Sequence, residues 1–371
     1  MARAKIEDSL ADLISANLNK LFKDTDKVAY IGEEETPVDL MEFVSTGSSL
    51  LDLAIANRPY AGIPFGRITE LTGLEGSGKS LVAAHIMANT QKMGGVAVLI
   101  DTEAAVNWEF FKAVGLDRSK NFVYAQIETV EDIFEAVTNI IESVRKSSKD
   151  KPVTIVIDSM AGASTKMEMA SDFERQGFAT GKAVILSTAM RKVTTMLARQ
   201  KVALVITNQL RHKMNAPAFS DPWTTSGGRA VPFHSSVRLR FTQTGTIKRK
   251  EDDMIIGVSV KAKIMKNRVG PPLRTVDFDI YFDRGIDDVS TWFDFLKKQE
   301  VLKSAGAYLK YTAEDGTEYN LMKKDFRAEL ETNKKLREEL YLKMADIMKM
   351  HYKTEELSEE DIEVEDSVSE E

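Results

Sequence analysis

The 371 residues include no cysteine and only four histidines. Without thiols the chain can form no disulfide, hold no thiolate-bound iron–sulfur cluster and use no cysteine nucleophile, and it suits a reducing compartment. Histidines this few and this scattered do not supply the paired ligands of a structural zinc site. Long apolar runs are missing too. Nothing approaches the roughly 20 residues that span a bilayer, and the opening MARAKIEDSL lacks the apolar stretch of a secretory signal, so a cytoplasmic location and no membrane partner are expected. Internal repeats are absent. What is present is a globular mixture, 43% hydrophobic and 29% charged, long enough for one large domain or for a core with small appendages.

The net charge of −7 conceals an asymmetry. Thr354 to Glu371 holds ten acidic residues and no basic one, which leaves 50 basic against 47 acidic residues elsewhere, a balance of +3. A near-neutral body with an acidic appendage is one arrangement by which proteins regulate polyanion binding, and a solubilising tail is the other reading.

Ile6, Leu10, Leu13, Ile14, Leu18, Leu21 and Phe22 recur at helical spacing and predict an amphipathic N-terminal helix. Polar sequence follows it, so its apolar stripe has to find cover either on its own domain or on a neighbouring subunit. The middle of the chain alternates short apolar runs (GRITELTG, VAVLID, FVYAQI, VTIVID, VALVIT) with helical patterns at 81–91, 130–144 and 182–199. That order predicts βαβ units, with the runs as fully buried strands of a mostly parallel, helix-covered sheet. After about Ser235, alternating stretches (SVRLRFTQ, IIGVSVKAKIMK, RTVDFDIYF) predict strands with one wetter face that extend the same sheet. A smaller unit is expected from about Val289, with a helix at WFDFLKKQ, a short strand at 308–311 and one charged helix from about Lys323 to Met350.

LTGLEGSGKS contains Gly73, Gly78, Lys79 and Ser80 in the pattern G-x-x-x-x-G-K-[ST], between a predicted strand and a predicted helix. Glycines let the backbone N–H groups of Leu74, Glu75, Gly76, Ser77 and their neighbours face phosphate oxygens, aided by the helix that begins there. Lys79 would reach the β and γ phosphates of ATP, and Ser80 would ligate Mg²⁺. A second metal-side carboxylate is expected at the end of another buried strand, and VTIVIDS supplies Asp158. VAVLIDTE ends a third strand in Asp101, Thr102 and Glu103. Glu103 is the candidate general base, whereas Asp101 fits a helix-capping role better. Trp108, Phe110 and Phe111 follow, one of them able to stack on adenine, with core packing as the competing explanation.

These motifs appear in the order FVSTGSSLLDLAI, GLEGSGKS, LIDTEAA, TIVIDSMAG, STAMRKVTTML, VITNQLRHKM, TTSGGRAVPFHSSVRLRF and KIMKNRVGPP. In this order and spacing, along nearly its whole length, the sequence resembles the RecA family of ATP-dependent recombinases, which includes phage members of the UvsX type. The resemblance implies a RecA-type P-loop ATPase core of α/β class, with an N-terminal oligomerisation helix and a small α+β C-terminal domain. The matching boundaries are 1–43 for the helix and linker, 44–288 for the core with its DNA-binding loops, 289–353 for the C-terminal domain and 354–371 for the acidic tail.

Residue by residue, the resemblance implies that Glu103 activates water and that Phe110 takes the adenine-stacking position, where relatives more often carry tyrosine. Asn208 and Gln209 fall on a strand-end pair in which the glutamine senses the γ-phosphate. Leu210 to Ser226 matches the second DNA-binding loop, and roughly Glu168 to Gly181, with Phe173, Arg175 and Phe178, the first. Lys266 and Arg268 match cations inserted into the neighbouring subunit's ATP site, with arginine where lysine is common at the second position. Ser187, Arg191, Arg211, Lys213, Met214, Phe219, Gly227, Gly228 and Arg229 are the candidate DNA contacts: cations and glycine N–H groups for phosphates, apolar side chains for wedging between bases. The implied activity is a DNA-dependent ATPase that forms a filament on single-stranded DNA and pairs it with homologous duplex, assisted by single-strand-binding and loading proteins. A hexameric RecA-fold DNA helicase shares the loop, the glutamate and the trans cation but normally carries another N-terminal domain. An assembly ATPase with a protein partner leaves the glycine pair after a basic loop unexplained, and a small-molecule kinase needs a lid that the sequence does not contain.

Overall fold

The computed structural model describes residues 2–22, 27–32, 34, 36, 39, 42–148, 150–170, 178–213, 221–306 and 308–350. The chain divides into two compact units, Met1–Met41 and Glu42–Glu371. The first contains α1 (Ala2–Leu21). Asn19 folds the following segment back onto the helix: its Oδ1 accepts the N–H groups of Val28 and Ala29 at 2.8 and 3.0 Å, and its Nδ2 donates to the Ala29 carbonyl at 2.9 Å. Leu10, Leu13, Ile14, Leu18, Leu21 and Phe22, members of the predicted stripe, are exposed.

The second unit opens with β1 (Phe43–Val44), α2 (Ser49–Ala56) and β2 (Ile63–Pro64). Strands and helices then alternate: β3 (Ile68–Gly73), α3 (Lys79–Lys92), β4 (Val96–Asp101), α4 (Trp108–Ala113), β5 (Phe122–Gln126), α5 (Val130–Ser147), β6 (Val153–Asp158), α6 (Lys166–Met169), α7 (Phe178–Gln200) and β7 (Val202–His212). Next come β8 (Trp223–Thr225), α8 (Ala230–His234), β9 (Val237–Lys248), β10 (Ile255–Asn267), β11 (Thr275–Tyr281) and β12 (Gly285–Ile286). One sheet runs β12-β11-β10-β9-β3-β7-β6-β4-β5. From β9 through β3 to β5 its neighbours are parallel; β9 to β12 pair antiparallel. β-Branched runs such as VTIVID suit strands packed on both faces, and β6 is buried along five of its six residues. On the helices the 3.6-residue period does the same work: Val130, Ile133, Phe134, Val137 and Ile141 line the buried stripe of α5, which Thr129 caps.

Two apolar clusters cover the two faces. One joins α2 and α3 to β9–β11 and continues into α9 (Asp288–Lys298) and the C-terminal helices; the other joins α5, α7 and α8 to the opposite face. The C-terminal part adds β13 (Lys303–Ala305), β14 (Tyr308–Thr312) and β15 (Glu318–Leu321) as a three-stranded antiparallel sheet, then α10 (Lys323–Thr332) and α11 (Lys334–Met348).

Three local expectations need correction. FVYAQI is not fully buried: β5 is the edge strand, with Val123 and Tyr124 46% and 39% exposed. The charged segment from Lys323 to Met350 is two helices, because Asn333 leaves helical geometry and accepts the Leu336 N–H as cap of the second. The second candidate loop is shorter than 210–226. β7 runs on to His212 and pairs antiparallel with β8, Leu210 opposite Thr225 and His212 opposite Trp223, so a two-stranded ribbon forms its stem.

His85 ties α3 to the antiparallel edge. Its Nε2 accepts the Ile286 N–H at 3.0 Å, and a Cβ on Gly285 would lie 2.2 Å from that nitrogen. Burial, with Lys92 nearby, lowers its pKa from 6.5 to about 4. The neutral ring therefore contributes stability above pH 6.5 that is lost as pH falls towards 4, about 3 kcal/mol in full. Asp52 opposes this, since burial raises its carboxyl to about 7 and its protonation on acidification favours the fold. The comparison with His85→Gln isolates the histidine: the wild-type advantage in urea midpoint is expected to shrink between pH 6.5 and 4.5. A difference that stays constant over that window would overturn the assignment.

Candidate nucleotide site and nucleic-acid interface

The loop between β3 and α3 is shaped by its glycines. Gly76 and Gly78 have φ of +72° and +89°, and a Cβ on Gly73 would lie 2.3 Å from Ser77 Oγ and 2.6 Å from the Phe241 carbonyl. Ser77 Oγ donates to the Leu74 carbonyl at 2.8 Å. Lys79 Nζ curls inside the loop and donates to the carbonyls of Gly73 and Leu74 at 3.1 and 2.7 Å. Burial lowers its pKa, while Asp158, Glu103 and Glu75 hold it up.

Asp158 ends β6 directly opposite Asp101 of β4. Its Oδ1 accepts the Thr207 hydroxyl at 2.6 Å, and the Ser80 hydroxyl also bonds it. Burial raises its pKa against those two hydroxyls, with Glu103 and Asp101 adding to the rise. A glycine-shaped loop with a lysine inside it and a serine hydroxyl joined to a buried carboxylate fit a nucleoside triphosphate with Mg²⁺. Among the described residues no three His, Asp or Glu side chains converge, so a metal at Ser80 and Asp158 would complete its shell with phosphate and water oxygens.

Glu103 stands beyond β4. Its Oε1 accepts the Ser159 hydroxyl at 2.5 Å, and a Cβ on Gly162 would lie 2.7 Å from its Cγ. Asp101 is committed to the turn, accepting the N–H groups of Glu103 and Ala104 at 3.0 Å each, with the Tyr124 hydroxyl on its other oxygen at 3.1 Å. Of the three aromatics, Phe111 is core and Trp108 packs edge-on against Phe111, Phe122 and Tyr124 beneath the Arg118 guanidinium. Phe110 is half-buried on the same short helix.

Gln209 pairs in register with Gly73, the first glycine of the phosphate loop. Gly73, Glu103, Asp158 and Gln209 thus share the carboxyl edge of the parallel strands, where α/β sheets bind ligands. Lys266 and Arg268 are not brought to this chain's own loop. Lys266 lies opposite Arg238, which lies opposite Glu70, on the sheet face covered by α8. Its Nζ donates to the carbonyls of Pro232 and Phe233 at 2.9 and 2.8 Å. Burial, with Arg268 and Arg238, lowers its pKa to about 8. Arg268 is exposed.

Ser187 and Arg191 lie on α7, Arg211 and Lys213 at the ribbon, and Arg229 is the N-cap of α8. Arg191, Arg211, Lys213 and Arg229 are exposed. Lys213 Nζ donates to the Asp221 carbonyl at 2.7 Å, while the Asp221 carboxylate takes Arg240 in a two-bond fork. Gly227 and Gly228 turn at φ of +84° and +75° against α7, and a Cβ on Gly227 would lie 2.7 Å from Leu186 Cδ1. Met214, Phe219, Phe173 and Arg175 lie outside the described residues, as do the Phe178 side chain and the tail from 351 onward.

Sequence reasoning missed Ser159, Thr207 and the Glu70–Arg238 pair. Ser159 directly follows the strand-end aspartate in VTIVIDS, a signal that was available; a pair between a buried glutamate and a half-buried arginine 168 residues away leaves none.

A sheet of this order with a glycine-rich phosphate loop at its carboxyl edge defines a RecA-type P-loop fold. A family model described as the RecA N-terminal domain matches residues 11–287. The chain is similar to a Protein RecA of Wolbachia pipientis, 33% identical over 343 residues that make up 92% of each chain. It is likewise 33% identical to a Protein RecA of Helicobacter pylori strain G27 over 91% of this chain and 93% of the relative, and to one of Wolinella succinogenes over 90% of each. The chain belongs to the RecA family.

Proposed function

We propose that the chain is a DNA-dependent ATPase that polymerises helically on single-stranded DNA and carries out homologous pairing and strand exchange in recombinational repair. The observation that supports this most is the end of β7. Thr207 bonds the metal-side carboxylate, Gln209 adjoins the phosphate loop, and the same strand continues into the ribbon that carries Arg211 and Lys213. Bound ATP with Mg²⁺ supplies the scissile phosphoanhydride and the charge that these residues answer. Glu103, held by Ser159, takes a proton from the attacking water. Lys79 and the loop N–H groups orient the phosphates, and Gln209 passes their state to the ribbon. Lys266 and Arg268 act on the neighbouring subunit's nucleotide, so each subunit completes the next one's site. The stripe on α1 docks on an adjacent core, residues 44–288 form the working core with 289–353 as the small C-terminal domain, and the acidic tail competes with DNA for basic surface. No described helix is long and apolar enough to cross a membrane, and a cytoplasmic setting is part of the proposal.

Electron microscopy with single-stranded DNA and a slowly hydrolysed ATP analogue tests the assembly. Extended helical filaments are expected, and closed rings would favour the helicase reading. The DNA contacts predict salt dependence: the log–log slope for single-strand affinity is about −0.7 per neutralised phosphate. Arg211→Ala should flatten that slope by about one such increment, and an unchanged slope would remove Arg211 from the interface.

A further inference from the structure

Successive residues of a strand point to opposite faces, and the end of β7 uses both. Thr207 and Gln209 face α3 and the phosphate loop; Asn208 faces the other way and is fully buried. Its Nδ2 donates to Glu70 Oε1 at 3.1 Å and to the carbonyl of Ser226 at 3.1 Å, the residue before the glycine turn. Glu70, also fully buried, accepts Arg238 Nε on its other oxygen at 2.5 Å. Arg238 is the register neighbour of Lys266, which holds the last carbonyls of α8. Asn208 Oδ1 is buried with no hydrogen-bond partner among the described residues. With both amide protons engaged, the oxygen remains able to accept an N–H that a shift of the glycine turn would present.

We propose that Glu70 is a positioning residue that couples the DNA-facing turn to the interfacial lysine. One carboxylate oxygen fixes the Asn208–Ser226 connection and the other fixes Arg238 beside Lys266. This rests on the preceding reading of Gln209 and Lys266 as nucleotide sensors within and between subunits. An isolated buried carboxylate would be expelled or protonated; here a guanidinium and an amide hold it, and removing its charge leaves Arg238 and Lys266 adjacent and uncompensated. The groups facing Lys266 are Arg238, Arg268, Glu70 and, from α8, His234; Glu70 is the carboxylate among them.

The test uses the full-length chain and Glu70→Gln, whose amide still spans to Asn208 and can donate to the idle Oδ1. Binding of a fluorescent ATP analogue without DNA should match wild type. Stimulation of ATP turnover by single-stranded DNA should fall about tenfold, within the range of coupling between sites. The alkaline limb of stimulated turnover, where Lys266 loses its proton, should move to lower pH, whereas a merely structural defect would lower the rate equally at every pH. Asn208→Ser, which cuts the connection to Ser226 but leaves the ion pair, should reduce stimulation and leave the limb in place, and it serves as the probe if Glu70→Gln does not fold. Wild-type stimulation retained in both variants, with the limb unmoved, overturns this proposal alone. Absence of stimulation in the wild type overturns the functional reading and this coupling with it.

Discussion

Glu103→Gln is expected to bind nucleotide and single-stranded DNA as the wild type does, while ATP turnover falls by about 10²–10⁴, the usual contribution of a positioned general base. The substitution keeps the shape: a glutamine Oε1 can still accept the Ser159 hydroxyl that now lies 2.5 Å from the carboxylate, and no side chain of the phosphate loop changes. What is lost is the ability to take a proton from water. On the proposed cycle, in which hydrolysis releases the filament, filaments should therefore assemble and then persist. Turnover near the wild-type rate would place the base elsewhere, and loss of nucleotide binding would make Glu103 a structural residue.

Lys266→Ala should lose about 10³–10⁵ in DNA-stimulated turnover if the lysine acts as a trans cation. The sharper result comes from mixing. In the proposed assembly Glu103 and Lys266 belong to different halves of one intersubunit site, so a subunit lacking Lys266 would still offer an intact glutamate and one lacking Glu103 an intact lysine. An equimolar mixture of Glu103→Gln and Lys266→Ala, each inactive alone, should recover about a quarter of wild-type turnover, the share of contacts in which both surviving groups meet. Lys266 also holds the carbonyls of Pro232 and Phe233, so its removal could loosen α8. Recovery in the mixture separates the two explanations, because a collapsed α8 would not be mended by a neighbour. If mixed filaments stay as inactive as their components, the site is not shared.

Much of this architecture could be read from the sequence because its causes are local. β-Branched runs make buried strands, a 3.6-residue apolar period makes the covering helices, and a glycine pattern between them makes a phosphate loop. The edge position of β5 was not legible, since FVYAQI has the composition of an interior strand and its exposure follows from its place at the end of the strand order. The break at Asn333 lies in the polar run ETNKK between Leu330 and Leu336, which reads equally well as the solvated face of one continuous charged helix. The ribbon stem depends on register between Leu210 and Thr225, which no local pattern encodes. At the site, Lys79, Ser80, Asp158 and Glu103 each sit in a recognisable local frame. Glu70, Arg238 and Asn208 belong to three separated strands and acquire meaning only when the sheet lays them side by side.

The alternation along β7 imposes a rule of counting. Inserting one residue between Val202 and Asn208 would rotate every later side chain of the strand through half a turn, aiming the glutamine at Glu70 and the asparagine at the phosphate loop. Chains built on this plan therefore have to keep the tally along β7 and its antiparallel partner β8.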